Sequence, residues 1–208
     1  MNLLYGTGNP AKLASMRETL EPLGIVLDGL GDMRAPIPDV EETGATPLEN
    51  ARIKASAYYK AFKRPVFSCD SGLYIEGLPE NKQPGVHVRI INGKRLNDEE
   101  MIAHYANIAK HLGGKAVARY KNGVCLVISE NEIYERFGGD ISGRAFCIVP
   151  QPHSKRVPGY PIDSLSKLID NDTYFYDSDG AGEVSSGWHK SWQNGFRDFF
   201  ANALKLSI

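Results

Sequence analysis

Three short stretches of this sequence hold residue types that could bind a phosphorylated ligand and act on it. The first is Thr7-Gly8-Asn9-Pro10-Ala11-Lys12, which separates an apolar run from a segment with helical periodicity. The start of a helix attracts anions, because the N–H groups of its first turn are unpaired and the helix dipole is positive there. Lys12 adds a mobile positive charge. Gly-Asn-Pro is also a common turn and the spacing is not that of a Walker loop, so an anion site and a simple turn both stay open.

The second stretch is acidic and contains Glu41, Glu42 and, further along, Glu49. Mg²⁺ takes carboxylate oxygens and keeps several waters, so one or two acids near a phosphate are enough to bind it. On the residues alone a simpler interpretation is favoured, in which Glu41 and Glu42 lie in a solvated loop and Glu49 caps a helix or faces solvent.

The third stretch is Cys69-Asp70-Ser71-Gly72, which places an acid where a hydrophobic strand is expected to stop. Asp70 in this position could bind a metal or accept a proton from water, and the Ser71 hydroxyl could hold a phosphate oxygen. Asp-Ser-Gly is also an ordinary turn sequence, so a catalytic and a structural interpretation both stay open.

Periodicity predicts the elements that position these stretches. A buried strand at Leu3 to Tyr5 is followed by a turn and a helix over about residues 11–23. A second helix is predicted from about Pro47 to Phe62, with Thr46 as its cap and Pro47 as its first residue. A strand over 65–69 then leads into the Asp70 turn.

The rest of the chain alternates helical and extended patterns. An Asn-Gly pair predicts a hairpin of strands 116–120 and 123–129 that turns at Lys121-Asn122-Gly123. The remaining predictions are a helix over 98–112, strands over 133–137 and 144–149, a Pro-rich loop over 150–161 and a closing helix over about 191–206.

Composition limits the class of protein. A chain of 208 residues fits one domain over 1–208, and 24 Lys+Arg against 25 Asp+Glu give no reason to expect a nucleic-acid polymer or an anionic membrane as partner. The three cysteines are widely separated, which favours a reducing compartment. The apolar run at the start is too short for a signal peptide or a membrane span, so we expect a cytoplasmic protein.

The order and spacing of the motifs resemble those of the Ham1-like, or inosine-triphosphate pyrophosphatase, family. The resemblance covers about the first half of the chain and includes Thr7-Gly8-Asn9 with Lys12, the run Glu42-Thr43-Gly44-Ala45-Thr46-Pro47-Leu48-Glu49-Asn50-Ala51 with Lys54-Ala55, Asp70-Ser71-Gly72-Leu73, and Pro84-Gly85-Val86. It implies an α/β fold in which a long central mixed β-sheet with flanking helices forms two lobes around a nucleotide cleft, usually in a homodimer.

The same resemblance implies a Mg²⁺-dependent enzyme that hydrolyses noncanonical purine nucleoside triphosphates, such as ITP, dITP or XTP, to the monophosphate and pyrophosphate. Such an enzyme removes damaged nucleotides from the pool. Carried over to this sequence, the resemblance assigns the metal to Glu42 and Asp70, catalysis to Asp70 as proton acceptor together with Lys12, and substrate binding to Thr7, Gly8, Asn9, Lys12, Ser71, Gly72 and Tyr160. Glu42 is chosen over Glu41 because its distance from Glu49-Asn50 matches the position of the family's acid.

The sequence departs from the family at two places. Cys69 stands where the family usually has a second acid, and we expect it to be a small buried residue. In the second half, only fragments of the family's base-reading segments are visible, namely Gly159-Tyr160-Pro161-Ile162-Asp163 and Trp192-Gln193-Asn194-Gly195-Phe196-Arg197. Tyr160 could stack on a base. The other aromatic and basic groups that could replace the missing segments, each more readily explained by a structural role, are Trp188, His189, Lys190, Trp192 and Arg197.

Two alternatives to this function stay open. The changes at Cys69 and in the last third of the chain are compatible with a catalytically weak nucleotide-binding or regulatory protein. A pyrophosphatase with another base specificity, acting on a modified pyrimidine or on a deoxynucleotide, would need the same phosphate chemistry.

Overall fold

The computed structural model describes residues 1–177 and 186–206, with the backbone alone for 186–191. The helices of this part are α1 (Pro10–Leu20), α2 (Pro47–Phe62), α3 (Asp98–His111) and α4 (Ser186–Leu204). Its strands are β1 (Asn2–Tyr5), β2 (Val26–Gly29), β3 (Val66–Ile75), β4 (Ile90–Ile91), β5 (Lys94–Arg95), β6 (Ala116–Ser129), β7 (Glu132–Phe137), β8 (Phe146–Ile148) and β9 (Ser166–Lys167).

Seven of these strands form one mixed sheet in the order β2-β1-β3-β6-β8-β9, and β7 also pairs with β6. Strand β1 is parallel to both β2 and β3, whereas the β6–β7, β6–β8 and β8–β9 pairs are antiparallel. The expected α/β fold with a central mixed sheet and flanking helices is therefore confirmed. No helix among the described residues is long and apolar enough to cross a bilayer.

The chain divides into two compact units, and the first comprises Met1–Ser71, Lys121–Ser142 and Ser191–Ile208. Side chains alternate across a strand, so β1 directs Leu3 and Tyr5 to one face of the sheet and Leu4 to the other. Helices α1 and α4 pack on the Leu3 face through residues such as Leu20 and Phe200. Helix α2 covers the Leu4 face, where its alanines Ala51 and Ala55 allow close approach to the strands.

The second unit comprises Gly72–Tyr120 and Gly143–Lys190, and two of the boundaries between the units fall inside β3 and β6. Helix α3 begins with a capping box, in which the Asn97 side chain accepts from the N–H of Glu100 and the Glu100 carboxylate accepts from that of Asn97. Its apolar stripe packs against strand residues in a core that includes Leu73, Ile75, Met101, Tyr105, Ala109, Phe146 and Ile148.

The predicted hairpin at Asn122-Gly123 is wrong, because β6 runs without interruption from Ala116 to Ser129. The Asn122 side chain donates to the carbonyl of Ile141 at 2.7 Å, so it holds an extended backbone in place. The Asn-Gly pair that does turn the chain is Asn92-Gly93, whose φ angles of 51° and 76° suit the tight β4–β5 connection.

Most other predicted elements are confirmed with small changes at their ends. Helix α2 has the predicted bounds, with Thr46 accepting from the N–H of Glu49 at 3.2 Å and Pro47 as its first residue. Helix α1 ends at Leu20 and continues as a 3-10 turn, Glu21–Leu23, and α4 begins earlier than predicted, at Ser186.

Candidate active site

The turn between β1 and α1 is built around the side chain of Asn9. Its Oδ1 accepts from the N–H of Ala11 at 2.9 Å and of Lys12 at 3.2 Å, and its own N–H donates to Thr7 Oγ1 at 3.2 Å. The expectation that the N–H groups of the first helical turn are unpaired is therefore corrected, because Asn9 occupies two of them.

This capping arrangement decides which groups an anion can meet at the turn. Since Oδ1 accepts from the helix, the amide Nδ2 is the group of the exposed Asn9 side chain that remains for donation. The Thr7 hydroxyl accepts from Asn9 and keeps its own hydrogen for donation. A Cβ on Gly8 would meet nothing within 4 Å, so that side of the turn is open. Side-chain donors of Thr7, Asn9 and Lys12 thus replace the backbone donors that were expected.

Asp70 lies beyond the point where β1 ends beside β3. The last β1 pair is Tyr5 with Phe67, and the N–H of Gly6 donates to the Phe67 carbonyl at 2.8 Å. Asp70 follows three residues further along β3, on the part of that edge which β1 leaves uncovered. The start of the Asn9 turn and Asp70 are therefore joined through adjacent strands.

The predicted turn at Asp70-Ser71-Gly72 is wrong, because β3 continues through these residues to Ile75. Ser71 and Gly72 thus have extended backbones, and Gly72 is buried. Cys69 is buried, as expected for a small apolar residue, and burial raises the pKa of its thiol to about 12 despite the nearby charge of Lys12. The thiol is therefore protonated near neutral pH and does not replace a second carboxylate.

Helix α2 contributes two polar residues to which sequence reasoning assigned no role, Asn50 and Lys54. They lie four residues apart and so project from the same face of the helix, a signal present in the sequence. The buried Asn50 accepts from the N–H of Gly44 at 2.8 Å and donates from Nδ2 to Asp70 Oδ2 at 3.0 Å. Asn50 therefore links the acidic loop to β3 and orients the Asp70 carboxylate.

Lys54 joins the two acids that were expected to bind metal. Its Nζ lies 2.7 Å from Glu42 Oε2 and 3.4 Å from Asp70 Oδ1, with the Lys54 and Asp70 side chains only 12% and 14% exposed. Burial lowers the pKa of Lys54, but Asp70 and Glu42 outweigh it, so the pKa lies above its usual value and the ammonium is charged. Glu42 thus reaches the site together with Asp70.

Glu49 serves the helix rather than the site. Its Oε2 accepts from the N–H of Ala45 at 2.7 Å, which confirms the capping role that was favoured for it. The helix is also fixed at Arg52, whose guanidinium donates two hydrogen bonds, of 2.6 and 2.7 Å, to the carboxylate of Glu135 on β7. These contacts hold Asn50 and Lys54 on a rigid element.

The donor set around Lys54 fits a hard cation that uses few protein ligands. Within the described part of the chain, no group of three or more His, Cys, Asp or Glu residues could enclose a metal. Glu42 and Asp70 nevertheless bring carboxylate oxygens to one positively charged nitrogen. Mg²⁺ is commonly held by one or two carboxylates, with waters and substrate phosphates as its other ligands.

In the second unit, Tyr160 lies on a turn that is anchored to the start of α3. Gly159, with φ of 86°, donates its N–H to Asp98 Oδ2 at 2.9 Å, and Arg89 pairs with the same carboxylate at 2.7 Å. Tyr160 is 39% exposed, so part of the residue is available for contact. Burial raises the pKa of the nearby Asp163 carboxyl to about 7.

The described aromatic and basic residues of α4 have structural contacts. Trp192 packs edge-on against Phe196 with 5.4 Å between ring centroids, and Arg197 Nε donates to the Thr19 carbonyl of α1 at 2.8 Å. The side chains of Trp188, His189 and Lys190 lie outside the described residues.

Gly6 sets how closely the Asn9 turn approaches helix α2. A Cβ on Gly6 would lie 2.3 Å from Ser68 Oγ and 2.5 Å from the ring of Tyr58, a residue one helical turn beyond Lys54. We expect Gly6→Ala to push the turn away from α2 and to lower turnover by about tenfold or more, since small displacements of positioning groups have large effects. Steady-state kinetics check this, and Gly31→Ala in the same unit, whose added Cβ meets nothing within 4 Å, is the matched substitution. Equal loss in both variants would contradict the packing argument.

Solved structures with this architecture are found among Ham1 proteins. A HAM1 protein from Coxiella burnetii superposes with a TM-score of 0.73 at 25% identity, over 97% of this chain and 99% of that chain. The Staphylococcus aureus Ham1 protein has a TM-score of 0.69 with the same coverage, and at 21% identity it supports the fold alone. These comparisons place the chain in the class of α/β proteins with the Ham1 fold.

The sequence comparisons identify the family. The sequence model of the Ham1 family matches residues 3–184, so the chain belongs to the Ham1 family. A dITP/XTP pyrophosphatase of Thermus thermophilus is 34% identical over 161 residues, which cover 77% of this chain and 73% of that protein.

Proposed function

We propose that this protein is a nucleoside-triphosphate pyrophosphatase that hydrolyses noncanonical purine nucleotides, such as ITP, dITP or XTP, to the monophosphate and pyrophosphate. The observation that carries this proposal is the grouping of Glu42, Lys54 and Asp70 in the unit that also holds the Asn9 turn. Membership of the Ham1 family and a relative named as a dITP/XTP pyrophosphatase support the reaction and the substrate class.

Asp70 is the group proposed to accept the proton of the attacking water. The water oxygen forms a bond to the α-phosphorus, its proton passes to Asp70, and the bond to the bridging oxygen breaks so that pyrophosphate leaves with that oxygen. Asn50 holds one oxygen of Asp70 at 3.0 Å, which leaves the orientation of the carboxylate fixed. Proton acceptance of this kind contributes about 10²- to 10⁴-fold to a rate.

Positive charge around the phosphates supplies the remaining stabilisation. Lys12 and Lys54 neutralise charge that develops on the phosphate oxygens, and Thr7, Gly8 and Asn9 orient the triphosphate at the turn, with Ser71 and Gly72 beside Asp70. Glu42 and Asp70 would hold Mg²⁺, which when bound supplies further positive charge to the phosphates. Most of the catalysis is then positioning and electrostatics.

Tyr160 is proposed to stack on the base. We expect Tyr160→Ala to raise KM about tenfold with a smaller change in kcat, because a base–aromatic stack contributes roughly 1–3 kcal/mol. Tyr160→Phe keeps the ring and removes only the hydroxyl, so its KM should stay close to that of the wild type. Kinetics on ITP separate the two, and an unchanged KM in Tyr160→Ala would exclude stacking.

We further infer that residues 1–208 act as one Ham1-like domain in a cytoplasmic homodimer, with a nucleotide as ligand rather than a nucleic-acid polymer or a membrane. A formal net charge of -1 agrees with a small-molecule ligand. The free, buried thiols of Cys69, Cys125 and Cys147 agree with a reducing compartment. Light scattering in solution would measure the assembly.

The function is tested by product analysis over a panel of canonical and noncanonical triphosphates with Mg²⁺. Monophosphate and pyrophosphate in equal amounts, with one base preferred, are the expected products, whereas diphosphate and inorganic phosphate would contradict cleavage at the α-phosphorus.

Cys69, which stands where the family usually has a second acid, favours the second candidate function, that of a weakly catalytic nucleotide-binding protein. That candidate predicts a higher Tm with nucleotide and no pyrophosphate release.

A further inference from the structure

Lys54 occupies the place between two carboxylates that a metal ion would need. Its nitrogen lies 2.7 Å from Glu42 Oε2 and 3.4 Å from Asp70 Oδ1. A divalent cation held by these oxygens would lie near the ammonium and repel it, because like charges close together disfavour each other. The ammonium and a divalent cation therefore compete for this carboxylate pair.

The surroundings of the pair allow the lysine to leave without disturbing the acids. Asn50 stays bound to the other oxygen of Asp70 at 3.0 Å and to the N–H of Gly44 at 2.8 Å, so it keeps Asp70 and the acidic loop in place. The lysine has a flexible four-carbon stem, and its ammonium can move while α2 stays fixed. Glu42, with 45% of its side chain exposed, lies on the solvent side of the pair.

We infer that the Lys54 ammonium occupies the metal site until a metal ion displaces it. The displaced ammonium is then available to the phosphates of the substrate. This inference rests on the proposed function, since that function assigns Glu42 and Asp70 to the metal. It has an unexpected consequence: removing a positive charge from the site impairs turnover, yet strengthens metal binding to the nucleotide-free protein. In the wild type, the metal binds less tightly than the two carboxylates alone would allow.

The test is the affinity of the nucleotide-free protein for Mn²⁺ alone, measured by electron paramagnetic resonance of the free ion. Lys54→Met keeps an unbranched side chain only one atom shorter and removes its charge. We expect Lys54→Met to bind Mn²⁺ at least about tenfold more tightly than the wild type, the factor that loss of one competing charge-assisted hydrogen bond would give. Lys60→Met is the matched control, because Lys60 is an exposed lysine of the same helix, and we expect its Mn²⁺ affinity to be that of the wild type.

Thermal unfolding supplies a second readout and a check on folding. Without metal, Lys54→Met leaves two carboxylates facing each other, so its Tm should be lower than that of the wild type and should rise more on addition of Mn²⁺. If Lys54→Met does not fold, Lys54→Gln removes the charge and keeps a polar end. Adding Asp70→Asn to the Lys54 variant should abolish the gain in affinity, which shows that the gain comes from this carboxylate pair.

Several results would overturn the inference. Mn²⁺ affinity in the Lys54 variants that is unchanged or weaker would mean that the lysine does not compete with the metal, and no Mn²⁺ binding in any variant would mean that the carboxylates are not a cation site. The proposed function fails separately, through absence of pyrophosphate release. A tenfold gain in Mn²⁺ affinity in a protein that releases no pyrophosphate would support the inference about Lys54 and contradict the proposed enzymatic function.

Discussion

Replacing Asp70 by Asn is expected to lower the rate of pyrophosphate release by about 10³-fold or more. Asparagine has nearly the same shape and keeps an oxygen that can accept from Asn50 Nδ2, so the strand and its neighbours should be undisturbed. It cannot accept the proton of the attacking water, and it carries no charge towards Lys54. The measurement is kcat for the preferred triphosphate, with Tm as the check that the variant folds.

Glu41→Gln is the matched control for this experiment. Glu41 is an exposed acid adjacent to Glu42, and it is Glu42 that pairs with Lys54 at 2.7 Å. We expect turnover of Glu41→Gln to equal that of the wild type. If Asp70→Asn retained more than about a tenth of the wild-type rate, proton acceptance by this carboxylate would be excluded.

The second large effect is expected at Gly123, where strand β6 meets the start of α2. A Cβ at this position would lie 2.4 Å from the nitrogen of Leu48 and 2.7 Å from the carbonyl carbon of Pro47. These are backbone atoms of a capped helical turn, so no side-chain rotation can relieve the contact. We expect Gly123→Ala to destabilise the protein by about 3 kcal/mol, which for a chain of this size lowers Tm by roughly 6–12 °C.

Activity should fall with stability in Gly123→Ala, because α2 also carries Asn50 and Lys54. The control is Gly31→Ala in the same unit, where a Cβ would meet nothing within 4 Å. That substitution should leave Tm unchanged or slightly higher, since alanine restricts the unfolded chain more than glycine does. Thermal unfolding of both variants is the measurement. An equal Tm for Gly123→Ala and Gly31→Ala would contradict the packing explanation.

Local signals predicted the helices well and the long strands less well. Thr46 and Pro47 mark the start of α2, because a cap and a first-turn proline act within a few residues. Asn122-Gly123 and Asp70-Ser71-Gly72 have turn sequences but lie inside β6 and β3. Their extended backbones depend on distant partners, such as the Ile141 carbonyl for Asn122, which a local pattern does not contain.

The candidate site was predicted by residue type more fully than by arrangement. The motifs identified Glu42 and Asp70, but the contact that joins them depends on Lys54, a lysine whose role follows only from the packing of α2 against β3. Asn9 was assigned to the anion, and its second task of capping α1 became visible only in three dimensions. Helical spacing of Asn50 and Lys54 was the available signal for both missed residues.

The residue that follows Asn9 determines how readily this asparagine deamidates. Asn9 caps α1 with Oδ1 and leaves Nδ2 for an anion, whereas aspartate would cap the helix equally well but direct a negative oxygen outward. Asparagine converts to aspartate spontaneously when the next backbone nitrogen attacks the side-chain carbonyl, and this attack needs a nitrogen that carries hydrogen. Pro10 has none. Pro10 thereby protects the turn from a change that would make it repel the phosphates proposed to bind there.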